Sequence, residues 1–190
     1  MEREKEVSSE KDKMEIGLKR GTVKVCPHDT RWEEDAKVTI ERLGKILQTA
    51  AVDIEHVGST AIRTICAKPI IDIAVGVKDP GDILKFNDQL LAEGFIFRGE
   101  DIPGQYLYVL GDEDSRTHHI HVVKYDSVEW NNYINMRDYL NSHEEDARRY
   151  SELKERLALQ FPSDRNKYTE MKSELISEIL NKARIWRANI

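Results

Sequence analysis

The stretch EHVGSTAIRTICAKPIIDIAVGV, residues 55–77, decides the fold of this chain. It predicts a strand, a tight turn at Gly58-Ser59, a short excursion of the chain and a second strand. The second strand, Ile70–Val77, is a nearly continuous β-branched run, which is typical of a strand covered on both faces. A single carboxylate, Asp72, lies inside this run. A carboxylate in an apolar strand is costly unless it is paired, hydrogen-bonded or bound to a metal.

The Gly-Ser turn has features that suit an anion. Gly58 allows a sharp turn and a close approach of a ligand, because it carries no side chain. Ser59 or Thr60 can cap the segment that follows, and the free backbone N–H groups at such a cap attract negative charge. The sequence therefore predicts that Gly58, Ser59 and Thr60 contact an anion.

Length and composition indicate one compact domain. The chain has 190 residues, of which 39% are hydrophobic, and this is enough to bury a core. Residues 1–20 are highly charged and contain few large apolar side chains, so they are predicted to form a flexible extension. Residues 21–190 are predicted to form the single domain.

The charge balance limits the classes of binding partner, and the cysteine content indicates the cellular compartment. Lys and Arg number 29 against 35 Asp and Glu, which gives a net charge of −6. This charge argues against a broad nucleic-acid-binding surface, although a local basic pocket remains compatible with it. No apolar stretch predicts a membrane span, and the first residues lack a signal-peptide core. Two cysteines, Cys26 and Cys66, fit a reducing compartment, so a cytoplasmic location is expected.

Apolar periodicity predicts strands interleaved with helices, followed by a helical C-terminal third. Strands are predicted at 23–26, 54–57, 70–77, 95–97, 106–110 and 119–125. Helices are predicted at 31–50, from Asp79-Pro80 to Gly94, and at 127–141, 144–160 and 165–187, with Ser163 as the cap of the last helix. This order predicts an α/β or α+β domain with a small mixed sheet, covered by helices on one face and at one end.

Candidate metal ligands lie in HHIHVV, residues 118–123. On a strand His119 and His121 share one face, whereas His118 takes the other. Two histidines two residues apart are a common metal-ligand spacing, so His119 and His121 are candidate ligands of a metal ion. In the alternative interpretation the histidines are hydrogen-bonded within the sheet, and Asp72 is a structural carboxylate that caps a turn or pairs with Lys68.

A cation interrupts the apolar side of each C-terminal helix. These cations are Arg137, Lys154 and Lys172, and each lies close to a tyrosine in the helical pattern. A cation that faces the core must pair with an anion, or its side chain must extend until the charged group reaches solvent. Three such interruptions predict a shared pocket for a polyanion, in which arginine grips phosphate bidentately and lysine acts as a point charge. The residues predicted for this pocket are Lys68, Arg137, Lys154, Tyr168 and Lys172, with Arg98 and Arg116 at its mouth.

The chain resembles the GrpB family, a divergent branch of the nucleotidyltransferase-fold superfamily. The resemblance extends from about residue 23 to residue 186. It rests on six stretches in order: CPHDTRW (26–32), EHVGSTAI (55–62), AKPIIDIAV (67–75), HHIHVV (118–123), MRDYLNSH (136–143) and YTEMKSELI (168–176). It implies a nucleotidyltransferase-like fold, in which the Gly-Ser turn contacts a triphosphate. It also implies a divalent metal on the following strand, Mg²⁺ or Mn²⁺, with Zn²⁺ as a further option. The resemblance places the His119/His121 pair beside this strand, so Asp72, His119 and His121 are predicted to hold one metal ion.

One position departs from the superfamily pattern. A second carboxylate commonly follows two residues after the first, but here that position is Ala74, which implies a reduced metal site. The resemblance implies transfer of a nucleotidyl or phosphoryl-linked group from a nucleoside triphosphate to a small acceptor, with Asp72 and Lys68 as catalytic residues.

Two other functions stay open. The first is a non-catalytic nucleotide-binding or anion-binding accessory module, because some family members are fused to dephospho-coenzyme A kinase. The second is a metal-dependent hydrolase or lyase that uses the histidine pair.

Overall fold

The computed structural model describes residues 16–112 and 114–190. A six-stranded mixed sheet forms the centre of this part of the chain, which confirms the α/β prediction. Five strands lie in the order β2-β3-β6-β5-β4, and β1 pairs with β6 beside this path. The strands are β1 (Leu18–Lys19), β2 (Ala51–Val57), β3 (Ile71–Val77), β4 (Ile96–Ile102), β5 (Gln105–Gly111) and β6 (Ser115–Lys124).

Strands β3 and β6 form the parallel pair at the centre of the sheet, and the other neighbouring strands pair antiparallel. The register places Asp72 opposite His119 and Ala74 opposite His121. The two stretches that carry the predicted metal ligands are therefore adjacent in the sheet.

Six α-helices accompany the sheet in the described residues. They are α1 (Arg31–Leu47), α2 (Asn87–Ala92), α3 (Val128–Ser142), α4 (Glu144–Gln160), α5 (Arg165–Glu170) and α6 (Ser173–Ala188). Short 3-10 segments follow α1 at Gln48–Ala50, form the turn at Ser59–Ala61 and precede α2 at Pro80–Phe86. Among these helices, none combines the length and the apolar character that crossing a lipid bilayer requires.

Helices cover both faces of the sheet, which corrects the prediction of one covered face and one covered end. On one face, Ile71, Ile73 and Val75 pack with Trp32 and other residues of α1. On the other face, Ala74 packs with Trp130 of α3. Strand β3 is apolar on both sides, so its burial requires a helical layer on each.

The C-terminal helices extend the α3 layer away from the sheet. Residues of α3, α4 and α6 form a second core together with the link that follows the Gly-Ser turn. In this core Ile62 and Ile65 from the link pack with Tyr150 of α4 and Ile179 of α6. The link between β2 and β3 therefore holds the C-terminal helices in place.

The N-terminal predictions need two corrections. Leu18–Lys19 pair with Ser115 and Arg116 of β6, so the predicted extension boundary at residue 20 lies too late. Residues 1–15 lie outside the described residues. The predicted strand at 23–26 is reduced to one bridge between Cys26 and Ala67.

The last predicted helix is divided in two. Helix α5 ends at Glu170 and α6 begins at Ser173, so Met171 and Lys172 form a corner. The N-cap of α5 is Asp164 rather than the predicted Ser163, because the Asp164 carboxylate accepts a hydrogen bond from the backbone N–H of Lys167. The corner directs Lys172 toward the space between α6 and the Gly-Ser turn.

Candidate functional site

Asp72, His119 and His121 form one cluster on the α3 face of the sheet. His119 Nδ1 and His121 Nε2 donate hydrogen bonds to the same oxygen of Asp72, at 3.2 and 3.1 Å. Burial alone would raise the pKa of the Asp72 carboxyl. The two histidine hydrogen bonds outweigh this effect and lower the pKa below its usual range. The carboxylate is therefore ionised and ready to act as a ligand.

The donor set of this cluster fits a divalent ion. One ligand atom from each residue lies within 4.8 Å of the other two. Two imidazoles and a carboxylate suit Zn²⁺ and similar transition ions, whereas Mg²⁺ prefers an all-oxygen shell. Ala74, at the position of the missing second carboxylate, is fully buried against Trp130, and His121 lies opposite it in the register. An imidazole from β6 therefore lies next to Asp72 where β3 itself offers no second carboxylate.

The Gly-Ser turn lies directly against the Asp72 carboxylate. Gly58 has φ 69° and ψ −168°, a conformation that only glycine adopts readily. A Cβ atom at this position would lie 2.6 Å from Asp72 Oδ2. The turn therefore needs glycine for its backbone angles and for the space that the carboxylate occupies.

A cleft of about 580 Å³ opens beside the turn and the cluster. Its walls come from the Gly-Ser turn, from His121 on β6, and from helices α3, α4 and α6. Tyr133 is fixed there by donating a hydrogen bond to Gln105 at 2.9 Å and by stacking on His121 at 5.1 Å between ring centres. The apolar part of the lining comprises Ile62, Ile102, Met136, Ile176 and Leu180. The cleft therefore joins an apolar compartment to a metal-ligand cluster.

Three lysines lie together near the turn, and one of them, Lys172, lines the same cleft. Lys68 Nζ and Lys172 Nζ lie 5.5 and 4.4 Å from the ring centre of Tyr168. Lys154 Nζ lies 4.5 Å from the ring centre of Tyr150 and donates a hydrogen bond to the Cys66 carbonyl. None of the three forms an ion pair with a carboxylate in the described part of the chain.

The environment of the lysines disfavours their charged forms. Burial lowers the pKa of Lys154 to about 7 and that of Lys172 to about 8, and it also lowers the pKa of Lys68. Neighbouring cations add to each shift, whereas Asp72 partly opposes it for Lys68 and Lys172. A nearby anion would oppose these effects and favour the charged forms of this lysine group (Lys68, Lys154 and Lys172).

Three predicted binding residues occupy positions different from the expected ones. Arg137 lines the cleft, but its charge is matched by hydrogen bonds to Glu55 at 2.6 Å and to Asp138 at 2.8 Å. Thr60 is 1% exposed, and its hydroxyl shares a hydrogen bond with His56 instead of facing the cleft. Tyr168 is buried beneath the lysines and supports them with its ring.

Sequence reasoning missed Gln105 as a site residue. Its amide nitrogen donates to Asp101 at 3.1 Å, and its oxygen accepts the hydrogen bond of Tyr133. The sequence offers no signal for this residue, because the burial of Gln105 becomes visible only in the structure. The helical pattern placed Tyr133 and Tyr150 on the inward sides of their helices. The pattern alone does not show whether an inward side chain lines a cleft or lies in the core.

The match to a family model decides the family. The model described as GrpB protein matches residues 22–182. The chain belongs to the GrpB family. This GrpB-family chain is 35% identical over 173 residues to the glutamate-rich protein GrpB of Alkalihalophilus pseudofirmus, covering 87% of this chain and 98% of the relative. It is 32% identical over 166 residues to the UPF0157 protein YqkA of Bacillus subtilis, covering 87% of this chain and 48% of that relative.

Solved structures agree with this assignment. The crystal structure of the conserved protein GrpB from Enterococcus faecalis matches with a TM-score of 0.79 and 29% identity, covering 86% of this GrpB-family chain and 99% of the other. The structure of Cid1 in complex with its short product ApU matches with a TM-score of 0.50 and 14% identity, covering 70% and 42% of the two chains. At this identity the likeness shows the fold alone, and the fold is that of the nucleotidyltransferases.

Proposed function

We propose that this protein transfers a nucleotidyl or phosphoryl-linked group from a nucleoside triphosphate to a small acceptor, using a reduced, one-ion metal site. The observation that carries the proposal is the position of the lysine group beside the Asp72 cluster and the Gly-Ser turn. Within residues 16–112 and 114–190 no carboxylate forms an ion pair with these lysines. Phosphoryl chemistry depends mainly on positioning and on charge neutralisation, and these residues provide both.

Each part of the cleft has a role in this proposal. Gly58 and Ser59 hold the triphosphate close to the backbone, while Lys68 and Lys172 neutralise its charge. Asp72, His119 and His121 would hold a divalent ion, which supplies further charge neutralisation when bound. The apolar compartment beside Tyr133 accepts the base, because a nucleobase is a flat group that stacks on aromatic rings.

The proposed reaction is an in-line displacement at phosphorus. An oxygen of the acceptor forms a bond to the α-phosphorus, and the bond from that phosphorus to the bridging oxygen breaks. The electron pair leaves with pyrophosphate, and the proton of the acceptor passes to water. The negative charge that accumulates on the leaving group is stabilised by Lys68 and Lys172.

A second candidate is a non-catalytic nucleotide-binding module. The observation that favours it is Ala74, which is buried where a second carboxylate ligand would stand. Binding needs the lysine group and the turn, but it does not need a complete metal site. Turnover therefore discriminates between the two candidates.

The test is a titration of the protein with ATP, GTP, CTP and UTP in the presence of Mg²⁺, Mn²⁺ or Zn²⁺. We expect a metal-dependent rise in the melting temperature, as a ligand that binds only the folded state must produce. Pyrophosphate release with an acceptor panel supports the enzyme, whereas a stability rise without release supports the binding module. The absence of any shift with every nucleotide contradicts both.

Asp72→Asn is expected to weaken binding of Zn²⁺ or Mn²⁺ by about 100-fold or more, because the neutral amide replaces the only charged ligand of the cluster. Isothermal titration with the metal alone measures this effect. Asp88→Asn is the matched control, since Asp88 is exposed on α2 and lies outside the cluster. An unchanged metal affinity in Asp72→Asn would show that Asp72 is not a ligand.

Lys172→Met is expected to lower nucleotide affinity by about tenfold while the free energy of unfolding stays the same or rises. The reason is that methionine replaces a desolvated charge with an apolar side chain of similar length. Lys167→Met is the control, because Lys167 lies on α5 and pairs with Glu170. A large loss of stability in Lys172→Met would instead make Lys172 a structural residue.

A further inference from the structure

One face of helix α3 carries two polar side chains into the cleft that the proposed reaction does not use. Residues three or four positions apart share a face of a helix, and four such residues of α3 line the cleft: Glu129, Asn132, Tyr133 and Met136. Met136 belongs to the apolar lining, and Tyr133 borders it. Glu129 and Asn132 therefore bring a carboxylate and an amide to the compartment that accepts the base.

These two side chains offer different hydrogen-bonding groups. The two carboxylate oxygens of Glu129 only accept, whereas the Asn132 amide has an NH₂ group that donates and an oxygen that accepts. In the described part of the chain, neither side chain forms a hydrogen bond or an ion pair with another residue. Arg137 in the same cleft differs, because its charge is matched by Glu55 at 2.6 Å. The hydrogen-bonding capacity of Glu129 and Asn132 is thus available to a ligand.

Glu129 also has a role that requires no ligand. It lies in the first turn of α3, where a negative charge stabilises the helix dipole. Glu145 has the same role in α4, because it is likewise the second residue of its helix. Unlike Glu129, Glu145 does not line the cleft. A comparison of the two glutamates therefore separates the effect on the helix from a contact with a ligand.

The order of donors and acceptors along the edge of a nucleobase decides which base suits a carboxylate beside an amide. Guanine presents two adjacent donors, N1–H and the N2 amino group, followed by the acceptor O6. A carboxylate accepts from both donors at once, and an amide NH₂ group donates to O6. Adenine and cytosine place an unprotonated ring nitrogen at the centre of this edge, and its lone pair would face the carboxylate. Uracil has a single N–H group between two carbonyl oxygens.

We propose that Glu129 and Asn132 select guanine, so that the nucleoside triphosphate bound in this cleft is GTP. This inference rests on the proposed transferase function and adds the identity of the nucleotide. Residues three positions apart on a helix have Cβ atoms about 5 to 6 Å apart, so the two side chains can reach the two ends of one base edge. Glu129 accepts from N1–H and from the N2 amino group, Asn132 donates to O6, and the ring of the base lies against Tyr133. A base without this order of donors and acceptors leaves the carboxylate desolvated and unpaired, which lowers its affinity.

The experiment measures the dissociation constants of GTP, ATP, CTP, UTP and inosine triphosphate (ITP) by isothermal titration with Mn²⁺ present. ITP keeps the N1–H group and O6 of guanine but lacks the N2 amino group. We expect GTP to bind roughly tenfold tighter than ITP or more, and tighter still than the other three. In Glu129→Gln the preference for GTP over ITP should largely disappear, because an amide has one acceptor oxygen instead of two. Asn132→Leu should weaken GTP and ITP by the same factor, roughly tenfold, because both carry O6.

Two further variants separate this inference from the proposed function. Lys172→Met should weaken all five nucleotides and leave the ratio of GTP to ITP affinity unchanged, because it acts on the phosphates. Glu145→Gln is the matched control and should change none of the affinities, since Glu145 is exposed and lies outside the cleft. The inference is overturned, and the proposed function stands, if the wild type does not prefer GTP or if the preference survives in Glu129→Gln. Equal losses in Glu129→Gln and Glu145→Gln overturn it as well, and a failure of every nucleotide to bind overturns both proposals.

Discussion

Gly58→Ala is expected to destabilise the protein by roughly 2 to 5 kcal/mol and to abolish binding of metal and nucleotide. Two costs add. The backbone angles of Gly58 lie in a region that side chains avoid, and the new Cβ would lie 2.6 Å from Asp72 Oδ2. Relief of the clash must move the carboxylate or the turn, and both belong to the proposed site. Urea unfolding and metal titration measure the two effects.

Substitutions at two other glycines separate the effect of backbone strain from that of the clash with Asp72. Gly104 also has a positive φ, 80°, but open space surrounds its missing side chain, so Gly104→Ala reports strain alone. Gly44 lies inside α1 with open space around it, so Gly44→Ala should be neutral or stabilising by up to about 1 kcal/mol. If Gly58→Ala costs no more than Gly104→Ala, the close approach to Asp72 is not the cause.

Lys154→Met is expected to reverse the sign of its stability effect between acid and alkaline pH. Lys154 is 1% exposed, and its pKa is lowered from 10.5 to about 7. Below pH 7 the folded protein must bury a charged ammonium group, so methionine should be more stable. Above pH 9 neutral Lys154 donates to the Cys66 carbonyl without a charge penalty, and methionine leaves that carbonyl unpaired.

The direction of the pH dependence follows from proton counting. Between pH 7 and 10.5 the unfolded chain keeps the Lys154 proton and the folded chain does not, so stability rises with pH in this window. The gain from this group is about 3 kcal/mol between pH 6 and pH 9, at roughly 1.4 kcal/mol per pH unit above the folded pKa.

The measurement compares wild type and Lys154→Met by urea unfolding at pH 6 and pH 9, so that titration of groups that do not interact with Lys154 cancels in the difference. Lys37→Met, an exposed substitution on α1, serves as the control and should show no pH-dependent difference from wild type. Parallel stability curves for wild type and Lys154→Met would mean that Lys154 does not lose its proton on folding.

The sequence was sufficient for the fold because its local signals agree. The β-branched run around Asp72 and the alternation in HHIHVV each predict a strand, and the strands pair as this alternation requires. The resemblance to the GrpB family was confirmed independently. The break at Met171 and Lys172 was not predictable, because the apolar spacing of α5 continues into α6 without a proline or glycine.

The site was predictable only in part, because contacts between segments distant in sequence decide whether each charged side chain is paired. Lys68 and Lys172 both lie over the ring of Tyr168, and their charges act on Lys154, whereas the role of these lysines in binding an anion stays a prediction. Arg137 had the same pattern, but its partner Glu55 lies 82 residues away, and no periodicity reveals that pairing. The orientation of Thr60 likewise depends on His56, which the turn places beside it.

The parallel pairing of β3 with β6 has a consequence for the order of folding. Asp72 is separated from its two histidines by 47 and 49 positions along the chain. A slip of one position between these strands would turn His119 and His121 toward α1 and bring His118 in their place. Because contacts of such long sequence separation close slowly, ion uptake during refolding would be a kinetic marker for correct registration of the central strands.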